Sequence, residues 1–278
     1  TIGVMPCIEN FISNTTDNVL VKTNPRYNSL FTKSYPMVKF FEEGMFFDKQ
    51  ISLDYNFNLP LQTGFANQLG FMDWEYVQPK VDVPDSERPI KGKYVTISIH
   101  STSQLKYWNH LKGKKVQPEA PYWNELCGML RKEGYTPVVV EQDELFGANT
   151  LKNGLPNKAN KKFGQSFLES MNLIYHSELY IGLSSGMSWV AHAMGKPVAM
   201  ISNFTEDWNE FDLSTPDYIR ITNKNVYHGC WNKINKEFEF DTDDWYWCPK
   251  HQDTPRQFEC HKSITSEMVI NSIQHLIK

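Results

Sequence analysis

The chain has 278 residues, enough for one large or two modest domains with a substantial core. Hydrophobic residues make up 40% and charged residues 22%, and 28 basic against 32 acidic side chains leave a formal charge of −4. That balance excludes a general nucleic-acid binder and a disordered chain, and no apolar run reaches the roughly 20 residues of a membrane-spanning helix.

Ile2 to Phe11 carries apolar residues at helical spacing and predicts an early helix. Asn18 to Thr23 and Val38 to Phe41 read as short strands, with a helix or turn over Phe31 to Pro36 between them. Leu61 to Leu69 predicts a helix ending at Gly70. The proline-spaced stretch from Gln78 to Asp85 is the best linker. Beyond it, Tyr94 to His100 reads as a strand and Ser101 to about Gln117 as a polar loop. Strands at Pro137–Glu141, Leu179–Gly182 and Pro197–Ile201 then alternate with helices at Tyr122–Lys132, Phe167–His176 and Ser188–Met194. This alternation predicts a doubly wound α/β fold with a parallel sheet.

Ligands of open parallel sheets bind beyond the carboxyl ends of the strands, where helix N-termini offer free N–H groups. Ser101, Thr102 and Lys106 follow the first of these strands and supply hydroxyls and a flexible ammonium suited to a diphosphate. Ser184, Ser185, Gly186 and Met187 form a strand-to-helix turn at which backbone can approach an anion. Phe204, Thr205 and Glu206 are placed to meet a base, ribose or sugar, and Glu141 to hold a ribose. No GxGxxG or HExxH is present.

Cysteine usage is uneven. Cys7 and Cys127 sit in apolar-patterned segments and read as buried thiols. Cys230, Cys248 and Cys260 fall in one aromatic-rich stretch beside His228, His251 and His261, a pattern that reads as a thiolate-rich metal site for zinc or iron. Thr1 is not followed by a charged region and apolar core of signal-peptide type, so a cytoplasmic location is expected.

Taken in order, 101–109, 182–189 with 195–198, 204–211, and 247–251 with 254–260 resemble the bacterial autotransporter heptosyltransferases, relatives of the lipopolysaccharide heptosyltransferases. The resemblance implies a GT-B fold: two Rossmann-like parallel-sheet domains facing a cleft, the first incomplete, plus a Cys-rich metal finger. The corresponding division is a partial acceptor-side domain over 1–88, a nucleotide-sugar-binding domain over 89–226, the finger over 227–261 and a C-terminal helix over 262–278. It further implies an ADP-heptose-like donor, protein hydroxyls as acceptors, inversion without a catalytic metal, and homo-oligomers.

Residue by residue, Thr102 and Lys106 would neutralise the leaving diphosphate, and the Ser185-Gly186-Met187 turn would add backbone donors. Adenine and ribose would lie near Glu141 and Phe204. The family's general-base aspartate would precede Thr1. Where the family's finger opens with a cysteine pair, Tyr227 stands three residues before Cys230, so the fourth ligand is expected to be His228, or alternatively His251, with zinc as well as iron admitted. Two other readings stay open: a transferase using another nucleotide-sugar donor or a polysaccharide acceptor, and a non-catalytic metal-finger interaction protein on a degenerate transferase scaffold.

Overall fold

The computed structural model of the chain describes residues 2–83, 85–101, 107–108, 111–112, 115–116, 121–141, 156–162, 164–244 and 246–277. A 3-10 turn over Ile2–Val4 leads into α1 (Met5–Ser13), where Pro6 is tolerated because its missing N–H falls in the first turn. Two short parallel strands follow, β1 (Leu20–Val21) and β2 (Lys39–Phe40), separated by a 3-10 helix over Pro25–Leu30. Residues 31–36 form turns, and α2 (Leu61–Gln68) gives way to Gly70, whose φ of +93° suits glycine.

The expected linker is extended but not free. Val81 is buried, and the Asp82 carboxylate accepts from the backbone N–H groups of Lys33 (2.8 Å) and Ser34 (2.7 Å). These bonds tie it to the N-terminal elements.

After it come β3 (Tyr94–Ser98), a small antiparallel pair of β4 (Leu111–Lys112) and β5 (Lys115–Val116), α3 (Pro121–Lys132), β6 (Thr136–Val140) and β7 (Asn160–Lys162). The remaining alternation is α4 (Phe167–Tyr175), β8 (Leu179–Leu183), α5 (Gly186–Ala193), β9 (Val198–Ile201) and β10 (Tyr218–Ile221). A 3-10 turn at Cys230–Lys233, the single turn α6 (Glu259–Lys262) and α7 (Ser266–Ile273) close the chain. Relative to the sequence reading, the β4–β5 pair interrupts the polar loop, α5 starts two residues early, and β7 and β10 are additional.

Among the described residues, six strands form one parallel sheet in the order β10-β9-β8-β3-β6-β7. Renumbered along the chain this is the 3-2-1-4-5-6 arrangement of Rossmann-type sheets. Every residue of β3 and β8 is buried, as expected of strands covered on both faces. The two-residue period still sorts their side chains. Val95, Ile97, Leu179, Ile181 and Ala199 point into a core shared with α3 and α7. Tyr94, Val138, Tyr180, Val198 and Met200 point the other way, into a core that also takes in α4, α5 and the N-terminal Val4, Met5, Leu30 and Phe31. The N-terminal elements are therefore packed on the side of the sheet that α4 and α5 cover, with the 3-10 turn against α5. Among the described residues, no helix is long and apolar enough to cross a membrane.

Candidate active site

The strand order reverses between β3 and β8, and it is beyond the carboxyl ends of such a pair that open α/β sheets bind ligands. A cavity of about 690 Å³ lies there. Ser98, His100 and Ser101 enter it from the β3 exit, Glu141 from the β6 exit, and Ser185, Gly186 and Met187 from the β8–α5 turn. The N-terminal elements supply the opposite wall, with Gly3, Tyr27, Phe31 and Leu61.

Glu141 is 7% exposed and organises the β3 exit. Its Oε1 accepts from the Ser98 hydroxyl (3.0 Å), from the Ile99 N–H and from the His100 N–H (3.0 Å). Its Oε2 lies 3.1 Å from His100 Nδ1. Burial pushes the His100 imidazole down to about 4, which outweighs the attraction of the neighbouring carboxylate. At neutral pH the pair is a neutral histidine donating Nδ1–H to a carboxylate.

The α5 N-terminus faces the same space. Ser185 holds the N-cap position in extended conformation (φ −151°, ψ 168°), yet its side chain caps nothing. Its buried Oγ has no hydrogen-bond partner among the described residues. The first-turn N–H groups are thus left for an incoming acceptor, which the helix dipole favours as an anion.

Behind this turn lies a buried ionic network. Arg220 on β10 has a 2% exposed side chain and sits 3.2 Å from Glu210 and 3.4 Å from Asp207. Burial opposes its charge, and Glu210, Tyr218 and Asp207 together more than restore it, holding the guanidinium above its ordinary range. Glu210 also accepts from Ser184 Oγ (2.7 Å) and Thr205 Oγ1 (3.1 Å), while Arg220 donates to the Thr205 carbonyl at 2.7 Å. The β8, β9 and β10 exits are locked together.

Cys230, Cys248 and Cys260 are buried in one cluster with Phe204, Ile234, Trp247 and Phe258. Burial raises all three thiols, Cys230 to about 12, and the Cys260 thiol is pushed further by the nearness of Cys248 and Cys230. Among the described residues, no group of three or more His, Cys, Asp or Glu side chains is arranged to hold a metal ion. His228 turns instead to Glu206, at 3.5 Å, and His251 lies 3.7 Å from Glu259. Asn203 joins the cluster to the sheet, its Nδ2 donating to the Cys260 carbonyl at 2.6 Å.

No protein-family model matches the chain. It is 33% identical over 265 residues, 89% of its own length and 63% of the relative's, to the autotransporter heptosyltransferase Aah of Escherichia coli. It is also 34% identical over 219 residues to the autotransporter heptosyltransferase TibC of E. coli O78:H11, half of whose length it spans. TibC has been solved as a dodecameric iron-containing heptosyltransferase with ADP-D-β-D-heptose, and that structure superposes with a TM-score of 0.84, 28% identity, 99% of this chain and 72% of TibC's. The chain belongs to the autotransporter heptosyltransferase family. A third relative, 31% identical over 212 residues, is named the inactive autotransporter heptosyltransferase BimC of Burkholderia thailandensis.

For this family member, the sequence-derived donor-site residues do not all meet in one place. Ser101, Glu141, Ser185, Gly186 and Met187 meet at the cavity. Ser184 and Thr205 lie in the Arg220 network, and Phe204 packs on Trp231 with ring centroids 4.7 Å apart. Glu206 faces His228 and Lys233. Thr102 and Lys106 lie outside the described residues. Sequence reasoning omitted Arg220 and His100 from the site. The signal for Arg220 was available, since a lone charge inside Tyr218–Ile221 requires a partner and four acids lie within 206–212.

Proposed function

We propose that this chain carries the nucleotide-sugar-binding half of a glycosyltransferase that moves a heptose from an ADP-activated donor to protein hydroxyls with inversion. The observation that carries the reading is the cavity at the β3/β8 switch point, lined by the α5 N-terminus, in a chain of this family. In it the diphosphate lies against the N–H groups of Gly186 and Met187 with Ser101 at the β3 exit, and Thr102 and Lys106 are assigned the role of neutralising its charge. As the bond from the anomeric carbon to ADP breaks, negative charge grows on the diphosphate, where oriented N–H groups and a cation stabilise it most. Glu141 and His100 hold the β3 exit in shape beside the ribose. Ser184 and Thr205 support the turn from behind through Glu210.

The same reading extends to the architecture: a GT-B arrangement, with residues 1–88 as part of the acceptor-side domain, 89–226 as the donor domain, 227–261 as the finger and 262–278 as the closing helix. No catalytic metal is required. Structural iron is assigned to Cys230, Cys248 and Cys260, whose three thiols in one buried cluster fit thiolate ligation in kind; neither His228 nor His251 is turned to join them. When bound, such an ion cross-links the finger. Assembly into homo-oligomers, a protein acceptor of the autotransporter kind and a cytoplasmic location complete the proposal.

Titrating ADP-heptose and ADP-glucose into the chain, followed by a transfer assay on a serine-bearing passenger segment, tests it. Heptose donor binding is expected; no binding of either nucleotide sugar overturns it. A donor-binding protein without transfer activity is the second reading, favoured by the inactive relative BimC. Binding without transfer to any acceptor would select it.

A further inference from the structure

We infer that Tyr180, buried beneath the strand exits, is a positioning residue: its hydroxyl donates to Ser185 Oγ and so turns the Ser185 proton toward the leaving diphosphate. This rests on the nucleotide-sugar reading of the cavity. Tyr180 lies inside β8 and is fully buried. A tyrosine there would ordinarily meet the side chain two residues on, which shares its face of the sheet. That position is Gly182, and a Cβ placed on it would lie 2.5 Å from the Tyr180 oxygen and 2.7 Å from its Cζ. The ring thus lies along the strand in the space that the glycine leaves. Its hydroxyl reaches the level of Ser98, which pairs with Gly182 across the β3–β8 ladder.

There it stands among three other hydroxyls, those of Ser98, Ser185 and Ser188. Their protons set the direction of any bond between them. Ser98 gives its proton to Glu141 at 3.0 Å, and Ser188 gives its own to the Leu183 carbonyl at 2.6 Å. Toward Tyr180 both can only accept. Tyr180 and Ser185 are left, each with a buried oxygen that has no hydrogen-bond partner among the described residues. Burial pushes the Tyr180 phenol up to about 12, so it keeps its proton and donates. Two unpaired buried hydroxyls cost free energy in the ligand-free chain. A phosphoryl oxygen at the α5 N-terminus removes both costs together: it accepts from Ser185, whose Oγ then accepts from Tyr180. Ser185 is available because it does not cap α5, and it lines the cavity, whereas Tyr180 acts through it. A hydroxyl polarised by its own donor is the better donor, and the relay tightens as charge grows on the departing diphosphate.

The test is titration of ADP into the wild-type chain, Tyr180→Phe, Ser185→Ala and the double variant, with ligand-free unfolding midpoints measured on each. Tyr180→Phe removes one oxygen and keeps the ring. Its midpoint is expected to equal or exceed that of the wild type, while ADP binds about three- to tenfold more weakly, the worth of one hydrogen bond. The double variant is expected to bind ADP no more weakly than Ser185→Ala alone, because the Tyr180 hydroxyl acts only through Ser185. A lowered midpoint or failure to fold in Tyr180→Phe, an ADP affinity equal to wild type, or additive losses in the double variant each overturn the inference and leave the donor reading intact. A wild type that binds neither ADP nor ADP-heptose overturns both.

Discussion

Gly3 sits against Trp189 so closely that a Cβ placed on it would lie 2.8 Å from the indole ring and 2.9 Å from Leu61 Cδ2. This contact seats the N-terminal 3-10 turn on α5, and all three residues line the cavity. Gly3→Ala is expected to destabilise the chain by about 1–3 kcal/mol, the usual cost of overpacking. Urea denaturation checks it. An unchanged midpoint would mean the seam yields without cost.

Acid should weaken the same seam. His192 is 2% exposed, stacks on Phe211 at 4.3 Å and shares a 2.7 Å hydrogen bond with Tyr76. Burial lowers it to about 4, against an ordinary value of 6.5. Between those two values the unfolded chain binds a proton that the folded chain refuses, so this contribution is complete above pH 6.5 and is lost as pH falls toward 4. Stability measured across that window should fall, and His192→Gln should flatten the slope. A parallel profile for the variant would place the acid sensitivity elsewhere.

Arg220→Lys addresses the ionic network. Lysine cannot reproduce the fork that reaches Glu210, Asp207 and the Thr205 carbonyl together. The loss should approach the roughly 3–5 kcal/mol of a broken buried pair. ADP affinity should fall with it, since Ser184 and Thr205 hold the turn behind the cavity. Stability within about 0.5 kcal/mol of wild type, the range of ordinary surface changes, would show the network to be dispensable.

Cys248→Ser tests the finger through its metal. Iron content per chain and the unfolding midpoint are expected to drop together, because ligation free energy is also folding free energy. Chelation of the wild type should give the same shift. Full stability with no bound metal would remove iron from the account.

Local signals lie in short stretches of the sequence. Ser166 and Glu169 form the capping box that starts α4, each bonding the other's backbone (3.2 and 2.7 Å), and Gly134 ends α3 with φ +85°. β3 and β8 announce themselves as apolar runs. β7 does not, because Asn160–Lys162 is polar and owes its extended form to pairing with Val138–Val140. β10 was hidden by Arg220, whose charge belongs in a strand only once Glu210 and Asp207 are beside it. The Ser185-Gly186 turn could be placed from sequence for the same reason as the capping box. The inward commitment of Ser184 and Thr205 could not, since it depends on a partner on another strand.

The strand order also dictates when this protein can close during synthesis. β3 is central, and Val95 finds its second neighbour only at Leu179. Tyr55 waits longer still, for Asn209, 154 residues downstream, and Phe57 for Asn232, 175 residues away. The first ninety residues therefore emerge from the ribosome without the surface they will cover. Their exposed aromatic side chains, Phe46 at 97% and Phe47 at 58% even in the finished fold, make that interval the point of greatest exposure to misassociation.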